Sequence, residues 1–202
     1  MQMIRNLSLI FILFISCFQN TSAQNKTYGD SILLYQDNYV NTHGAVEKND
    51  RKYIQFYDIG INYRVTPSFE KIADAEGFEM NTSSGTRQKF FKYGLLTFKL
   101  DNSDLHLFIY QSASLMQNEK YKDYLFVPFG DSTSGFESYG GGRYIDFYIP
   151  DIKNKQIVLD FNKAYNPYCA YDSKYNCPLP PKENILNIRI PAGERNYAKP
   201  IH

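Results

Sequence analysis

The order of hydrophobic and polar residues changes its period once, early in the chain. Between residues 28 and 43, apolar and aromatic side chains recur at i, i+3, i+4 and i+7, a spacing typical of an amphipathic helix. Gly44 follows at a position where helices commonly end. From residue 52 onward apolar and polar positions alternate, which favours strands. The pattern therefore predicts one N-terminal helix and, after it, a chain made of strands.

About nine strands are predicted from this alternation and from the turn residues between the segments. They cover residues 52–57, 61–69, 78–82, 89–100, 105–111, 125–129, 143–149, 156–161 and 185–190. The residues Asp101, Asn102 and Ser103 form a turn that predicts a hairpin between the fourth and fifth strands. No further helix, repeat or linker interrupts the strands. We therefore expect a mainly β fold, a single antiparallel β-barrel or sandwich with one N-terminal helix, over residues 24–202.

The aromatic content agrees with this expectation. Phe and Tyr make up 16% of the chain, with 18 Tyr, 15 Phe and no Trp. Aromatic side chains pack well on the pleated surface of a sheet. The hydrophobic fraction of 43% is sufficient for the core of one domain.

The first residues have the features of a secretory signal. Arg5 precedes an apolar run at residues 9–15, and the small residues Thr21, Ser22 and Ala23 form a cleavage site. The apolar run is shorter than the roughly 20 residues that a membrane-spanning helix needs. We predict a signal peptide at residues 1–23 and export to the periplasm or cell surface. A lipoprotein signal, with Cys17 as the lipidated residue, is the alternative.

Charge excludes some classes of partner. The chain has 22 Lys and Arg against 21 Asp and Glu, and removal of Arg5 with the signal peptide makes the formal charge zero. No block of like charges occurs, whereas nucleic-acid binding needs clustered Lys and Arg. We expect no nucleic-acid partner and no membrane span. No sequence feature identifies a cofactor, a metal site or a protein partner.

The segment 162–184 concentrates Pro, Asn and Tyr around two cysteines. Cys169 and Cys177 are predicted to form a disulfide, to remain two structural thiols, or to serve a metal or reactive-thiol site. Asn162, Asn166 and Asn184 are candidate positioning residues for a ligand. Their alternative role is to satisfy the backbone of a long loop. Tyr165 is a candidate stacking residue.

A glycine-rich loop precedes Arg143, which has two interpretations. In the first, Arg143 contacts an anion or carboxylate, held by Asp131 or Asp146. In the second, it forms a buried Arg–Asp pair that orders the loop. For catalysis, four carboxyl groups are candidate acids or bases: Asp131, Asp146, Glu183 and Glu194. The Gly-x-Ser-x-Gly motif of serine hydrolases is absent from the sequence.

Several motifs together resemble the prokaryotic family called domain of unknown function 1684. They are a Pro-Phe-x-Asp-x-Thr loop, a Gly-Arg-Tyr-x-Asp strand, an Asn-Pro-x-Cys-Ala…Cys-Pro-x-Pro-Pro-x-Glu-Asn segment and a closing Ala-Gly-Glu. Here these motifs are Pro128, Phe129, Asp131 and Thr133; Gly142, Arg143, Tyr144 and Asp146; Asn166, Pro167, Cys169, Ala170, Cys177, Pro178, Pro180, Pro181, Glu183 and Asn184; and Ala192, Gly193 and Glu194. The resemblance covers residues 87–197 and implies no activity. It lowers the expectation of a disulfide, because relatives that are not exported would keep the same thiols reduced.

Three functions remain open. The first is a periplasmic or envelope domain that binds a small polar or carboxylate-bearing ligand through Arg143 and the 162–184 segment. The second is a hydrolase that uses carboxylates. The third is a structural factor of the envelope with no ligand. The sequence does not decide whether the protein is an enzyme.

Overall fold

The computed structural model describes residues 26–199. The predicted signal peptide, including Cys17, and the C-terminal His202 lie outside the described residues. The first element is helix α1, at residues 26–42, which confirms the predicted N-terminal helix. It buries Ile32, Gln36 and the following His43, and exposes Leu33 and Leu34. This spacing gives the helix one face against the sheet and leaves the other in water.

Eight strands follow, and every pairing between them is antiparallel. Their bounds are Arg64–Val65 (β1), Ser68–Lys71 (β2), Phe78–Asn81 (β3), Arg87–Leu100 (β4), Ser103–Ser112 (β5), Tyr124–Phe129 (β6), Arg143–Tyr148 (β7) and Leu159–Asp160 (β8). The main sheet has the order β2-β4-β5-β6-β7, with β3 pairing the other end of β4. Strands β1 and β8 form a separate ribbon. The predicted mainly β fold is confirmed, as a sandwich-like arrangement rather than a closed barrel.

Short 3₁₀ turns connect these strands. They lie at Lys48–Tyr53, Ile61–Tyr63, Leu115–Gln117, Ile149–Asp151, Phe161–Lys163, Tyr168–Ala170 and Lys182–Asn184. Within the described residues, no helix has the length and hydropathy needed to cross a bilayer.

Strand β4 is the axis of the main sheet, and a bulge divides it into two halves. Lys92 pairs Tyr110 and Gly94 pairs Ile109, so one residue of β4 is extra. The bulge transfers even-numbered side chains from one face of the sheet to the other. Phe90, before the bulge, packs in a cluster with Tyr110, Phe126 and Tyr144. Leu96, after it, belongs to the larger core on the opposite face.

The hairpin predicted from the turn at residues 101–103 is confirmed. Leu100 pairs Ser103, and the two residues between them, Asp101 and Asn102, have φ values of 47° and 63°. Positive φ at both positions is the geometry of a type I′ turn, which Asp and Asn tolerate better than most residues. The twist of this turn matches that of the flanking strands.

Two strand predictions were wrong. Residues 52–57 contain the end of a 3₁₀ turn and a single bridge between Phe56 and Glu194. Residues 185–190 contain no strand, because their backbone bonds go to the loop after β6: Leu186 N–H donates to Gly130 O at 2.8 Å. Two others were too long. Residues 61–69 contain β1 and only the first two residues of β2, and residues 156–161 contain only the two residues of β8.

Gly94 allows the ring of Phe69 in the paired strand β2 to lie close against β4. A Cβ atom at this position would lie 2.2 Å from Cε2 of Phe69. We expect Gly94→Ala to lower the free energy of unfolding by about 1–3 kcal/mol, because overpacking must displace the Phe69 ring or the strand. Thermal and urea unfolding measure the effect. Gly29→Ala is the matched control, because a Cβ on this glycine of α1 meets nothing within 4 Å. Equal stability of the two variants would contradict the assigned packing.

Candidate functional site

Arg143, at the start of β7, is fully buried. Its guanidinium donates to Asp131 Oδ1 at 3.2 Å, to Ile190 O at 3.0 Å, to Glu194 O at 3.3 Å and also to Ala192 O. Burial lowers the pKa of Arg143, and Asp131 opposes this by favouring the charged form. All these acceptors belong to the protein. The guanidinium therefore joins β7 to the glycine-rich loop and to the C-terminal segment.

Asp131 is bound on both oxygens. Its Oδ1 also accepts the hydroxyl of Thr133 at 2.8 Å, and its Oδ2 accepts the N–H of Ile190 at 2.6 Å. Neither Asp131 nor Arg143 has side-chain surface in contact with water. The geometry favours the second interpretation of Arg143, a buried pair that orders the loop. The proposed contact of Arg143 with a ligand has no exposed atom to support it.

The three candidate asparagines bond to backbone. Asn184 accepts from Phe108 N–H at 2.8 Å and donates to Phe108 O at 2.9 Å, so its amide imitates a neighbouring strand. Asn162 makes the same pair of bonds with Gly60, at 3.0 and 2.8 Å. Asn166 donates to Arg195 O at 2.7 Å. All three are buried, and they hold segments that have no ladder of their own.

A cleft of about 470 Å³ lies where α1, β7 and the 162–184 segment meet. We call it the tyrosine cleft. It is lined by Tyr35, Tyr39, Tyr144, Asp146, Tyr165, Pro167, Tyr168, Tyr175, Asn176 and Cys177. The sequence predicted a ligand at Arg143 and the 162–184 segment; that segment lines the cleft, and Arg143 does not. The sequence did not predict the contribution of α1, although the i, i+4 spacing of Tyr35 and Tyr39 was a usable signal.

Backbone pairing and one hydroxyl group build the cleft. Tyr144 and Tyr165 exchange two backbone hydrogen bonds, of 2.9 and 3.0 Å, so the 162–184 segment extends the sheet beyond the edge strand β7. Helix α1 lies over this junction, where the hydroxyl of Tyr35 donates to Lys163 O at 3.1 Å. The walls of the cleft are therefore a helix, a strand and an irregular segment in close contact.

Asp146 is the acidic group of the tyrosine cleft. Its Oδ1 accepts the hydroxyls of Tyr124 and Tyr165, each at 2.7 Å. Its Oδ2 has no hydrogen-bond partner among the described residues. Desolvation by the surrounding protein raises the pKa of Asp146, although the two hydroxyls lower it, and the side chain keeps a surface open to water. This combination is expected of a carboxylate on the floor of an open cleft.

A second cleft, of about 620 Å³, lies on the other side of Tyr35 and Asp146, which line both. We call it the charged cleft. Its charged lining residues are Arg64, Asp146, Asp151, Lys153, Asp160 and Lys163. Acids and bases are equal in number there. The tyrosine cleft, in contrast, is lined by no Lys or Arg of the described chain.

Glu194 lies fully buried behind the wall of the tyrosine cleft. Its carboxylate accepts the hydroxyls of Tyr39, at 3.0 Å, and Tyr171, and the backbone N–H of Asn166 at 2.9 Å. Burial raises its pKa from 4.5 to about 7, although these bonds lower it. Because Tyr39 also lines the cleft, its hydroxyl connects Glu194 to the cleft surface.

Glu183 belongs to a different environment. It forms an ion pair with Lys92 Nζ at 3.0 Å and is not part of the tyrosine cleft. Of the four candidate carboxyl groups, only Asp146 reaches this cleft directly. Cys169 and Cys177 are free thiols. Among the described residues, no group of three or more His, Cys, Asp or Glu is arranged to hold a metal ion.

The pKa of Glu194 predicts a pH-dependent stability. The folded protein retains the Glu194 proton at a pH where the unfolded chain has lost it, so this contribution is complete below pH 4.5 and is lost as the pH rises through about 7. It is on the order of 3 kcal/mol. We expect Glu194→Gln to flatten the fall in unfolding free energy between these pH values, as measured by urea unfolding. Glu79→Gln, at an exposed position of β3, should leave the fall unchanged. Parallel curves for wild type and Glu194→Gln would contradict the assignment.

Known proteins resemble this chain over most of its length. An uncharacterised protein of Haloarcula marismortui, with a solution NMR structure, is 28% identical to it, with a TM-score of 0.59. The likeness covers 88% of this chain and 95% of the other. The comparison with curated proteins found no match.

The family model described as Protein of unknown function (DUF1684) matches residues 50–195. The match begins well before residue 87, where the motifs placed the start of the family-like core. It therefore includes β1, β2 and β3 as well as the sheet edge that carries the tyrosine cleft. Because the matched range is more than half of the sequence, the chain belongs to the DUF1684 family of proteins of unknown function.

Proposed function

We propose that the tyrosine cleft binds a small organic cation. The observation that carries this proposal is the unpaired Oδ2 of Asp146 in a cleft without Lys or Arg. Desolvation disfavours an ionised carboxylate that has no counter-charge. A cationic ligand would supply that charge.

The aromatic lining supports the same class of ligand. Six tyrosines line the cleft, and the negative face of an aromatic ring attracts ammonium groups, by about 0.5–2 kcal/mol for each good contact. A carboxylate-bearing ligand, which we expected from Arg143, is disfavoured here. Asp146 would repel it, and Arg143 has no surface with which to bind it.

The distribution of the carboxyl groups favours a binding module over a hydrolase. Carboxylate-based hydrolysis uses two carboxyl groups that flank the substrate. Asp131 and Glu194 are buried, and Glu183 is paired with Lys92 elsewhere. Asp146 alone would contact a ligand in the cleft.

Choline and 3,3-dimethylbutan-1-ol test the proposal, because they have nearly the same shape and differ in the positive charge. We expect choline to bind at least tenfold more tightly, as measured by calorimetry and by NMR shifts. Asp146→Asn should weaken choline binding by up to about fivefold, since a charge pair that water still reaches contributes about 0.2–1 kcal/mol. The amide oxygen can still accept both tyrosine hydroxyls, so the fold should be kept.

Asp104→Asn is the control for net charge. It removes the same charge from an exposed ion pair with Lys99, outside the cleft. It should leave choline binding unchanged. Acetate and glucose are measured as an anionic and a neutral polar probe. Equal binding of choline and 3,3-dimethylbutan-1-ol, or tighter binding of acetate or glucose, would overturn the cation proposal. Binding of none of these four compounds would favour a structural role.

We also propose that the protein is exported, which rests on the signal features of residues 1–23. The expected mature N-terminus is Gln24, and the intact mass of the protein from its own host measures it. A mass that includes a lipid on Cys17 would identify the lipoprotein alternative. A mass that includes residues 1–23 would contradict export by cleavage after Ala23.

A further inference from the structure

Two cysteines lie close together beside the tyrosine cleft, which Cys177 lines. Cys169 lies in the 3₁₀ turn Tyr168–Ala170, and its backbone N–H donates to Sγ of Cys177 at 3.2 Å. The backbone of Cys177 is fixed by the β3–β4 turn: its N–H donates to Ser83 Oγ at 3.0 Å, and its carbonyl accepts from Ser83 N–H at 2.8 Å. The sulfur of Cys177 is therefore held against the turn that carries Cys169.

The two sulfurs differ in access and in hydrogen bonding. Cys177 is 8% exposed, whereas Cys169 is only half-buried. The hydroxyl of Tyr139 lies 3.6 Å from Sγ of Cys169. Reagents in solution therefore reach Cys169 more easily, and the hydroxyl can stabilise a negative charge that forms there.

A hydrogen bond between the two cysteine side chains shifts their pKa values in opposite directions. Donation by the Cys177 thiol lowers the pKa of Cys169 to about 6, against the effect of burial, and Tyr139 contributes in the same direction. The same bond raises the pKa of Cys177, which keeps its proton. The other titratable group facing the pair is Tyr144, and its pKa is raised, chiefly by burial. Among the described residues, no Lys or Arg contributes to the lowered pKa of Cys169.

We propose that Cys169 and Cys177 form a thiol–disulfide exchange site for a small-molecule disulfide, with Cys169 as the attacking thiolate and Cys177 as the resolving thiol. This inference does not depend on the cation proposal. It rests on two juxtaposed sulfurs, one accessible and one buried, with a hydroxyl donor on the accessible one. A small reagent suits the site because Cys169 is only partly exposed.

The exchange is balanced in two steps. The Cys169 thiolate attacks one sulfur of R–S–S–R, the S–S bond breaks, and RS⁻ leaves. Cys177 then loses its proton to solvent, and its sulfur attacks Cys169 in the mixed disulfide, which releases the second RS⁻. The protein is oxidised to the Cys169–Cys177 disulfide, and the substrate disulfide is reduced to two thiols. A stabilised thiolate makes such a disulfide easier to reduce again than a structural one.

Oxidised glutathione is the probe, and intact mass spectrometry is the measurement. Every protein in the test, including the wild-type reference, carries Cys17→Ser so that a retained leader adds no third thiol. Reduced wild type should lose two hydrogen atoms and carry no glutathione at the end. Cys177→Ser should trap one glutathione on Cys169. Cys169→Ser should react at least tenfold more slowly.

Equal rates for the two cysteine variants, or no adduct with Cys177→Ser, would overturn the proposal. A wild-type disulfide that stays oxidised in a large excess of reduced glutathione would also overturn it, because the bond would then be structural. Circular dichroism of each variant checks that the fold is kept.

The role of Tyr139 is tested by the pH profile of Cys169 alkylation with iodoacetamide. Tyr139→Phe should move the midpoint to higher pH. Tyr121→Phe removes a hydroxyl for which no hydrogen bond is described and should leave the midpoint unchanged. An unchanged midpoint in Tyr139→Phe would show that Tyr139 does not act on Cys169.

Discussion

The burial of the Arg143 charge is the constraint on which the rest of the structure depends. A guanidinium removed from water must find acceptors, and an uncompensated buried charge costs several kcal/mol. In this protein the acceptors are the Asp131 carboxylate and the backbone carbonyls of Ile190, Ala192 and Glu194. None of these groups lies in a regular strand of the main sheet. The requirement of one side chain therefore fixes the glycine-rich loop and the C-terminal segment on the end of β7, and this also sets the place of Glu194.

The same region shows how the protein accommodates carboxylates without cations. Asp146 and Glu194 both accept tyrosine hydroxyls and no Lys or Arg. A hydroxyl satisfies a carboxylate oxygen but brings no charge, so the pKa of each acid stays raised by burial. The abundance of tyrosine in this chain thus has a physical use. It creates a cleft whose walls are aromatic and whose floor is acidic, next to a pair of thiols.

The elements predicted correctly are those that short-range rules determine. Helix α1 and the β4–β5 hairpin follow from periodicity and from residues that tolerate positive φ in a turn. The predictions were wrong where the backbone bonds to a loop instead of a strand. Residues 185–190 alternate as a strand does, but their partners are residues 130–132, far away in sequence. The close approach of Phe69 to Gly94 could not be predicted either, because the two residues lie on different strands.

The sequence by itself determined the fold class, the family and the segments in which the unusual polar residues lie, because periodicity, turn chemistry and motifs are local properties. It named Arg143, Asp131, Asp146 and Glu194 without ranking them, since residue type does not encode burial. Only the tertiary structure decided that Arg143 is enclosed while Asp146 faces a cleft. It also decided that Tyr35 and Tyr39 of α1 complete that cleft. These outcomes depend on which distant segments pack together, and burial and pKa are properties of that packing.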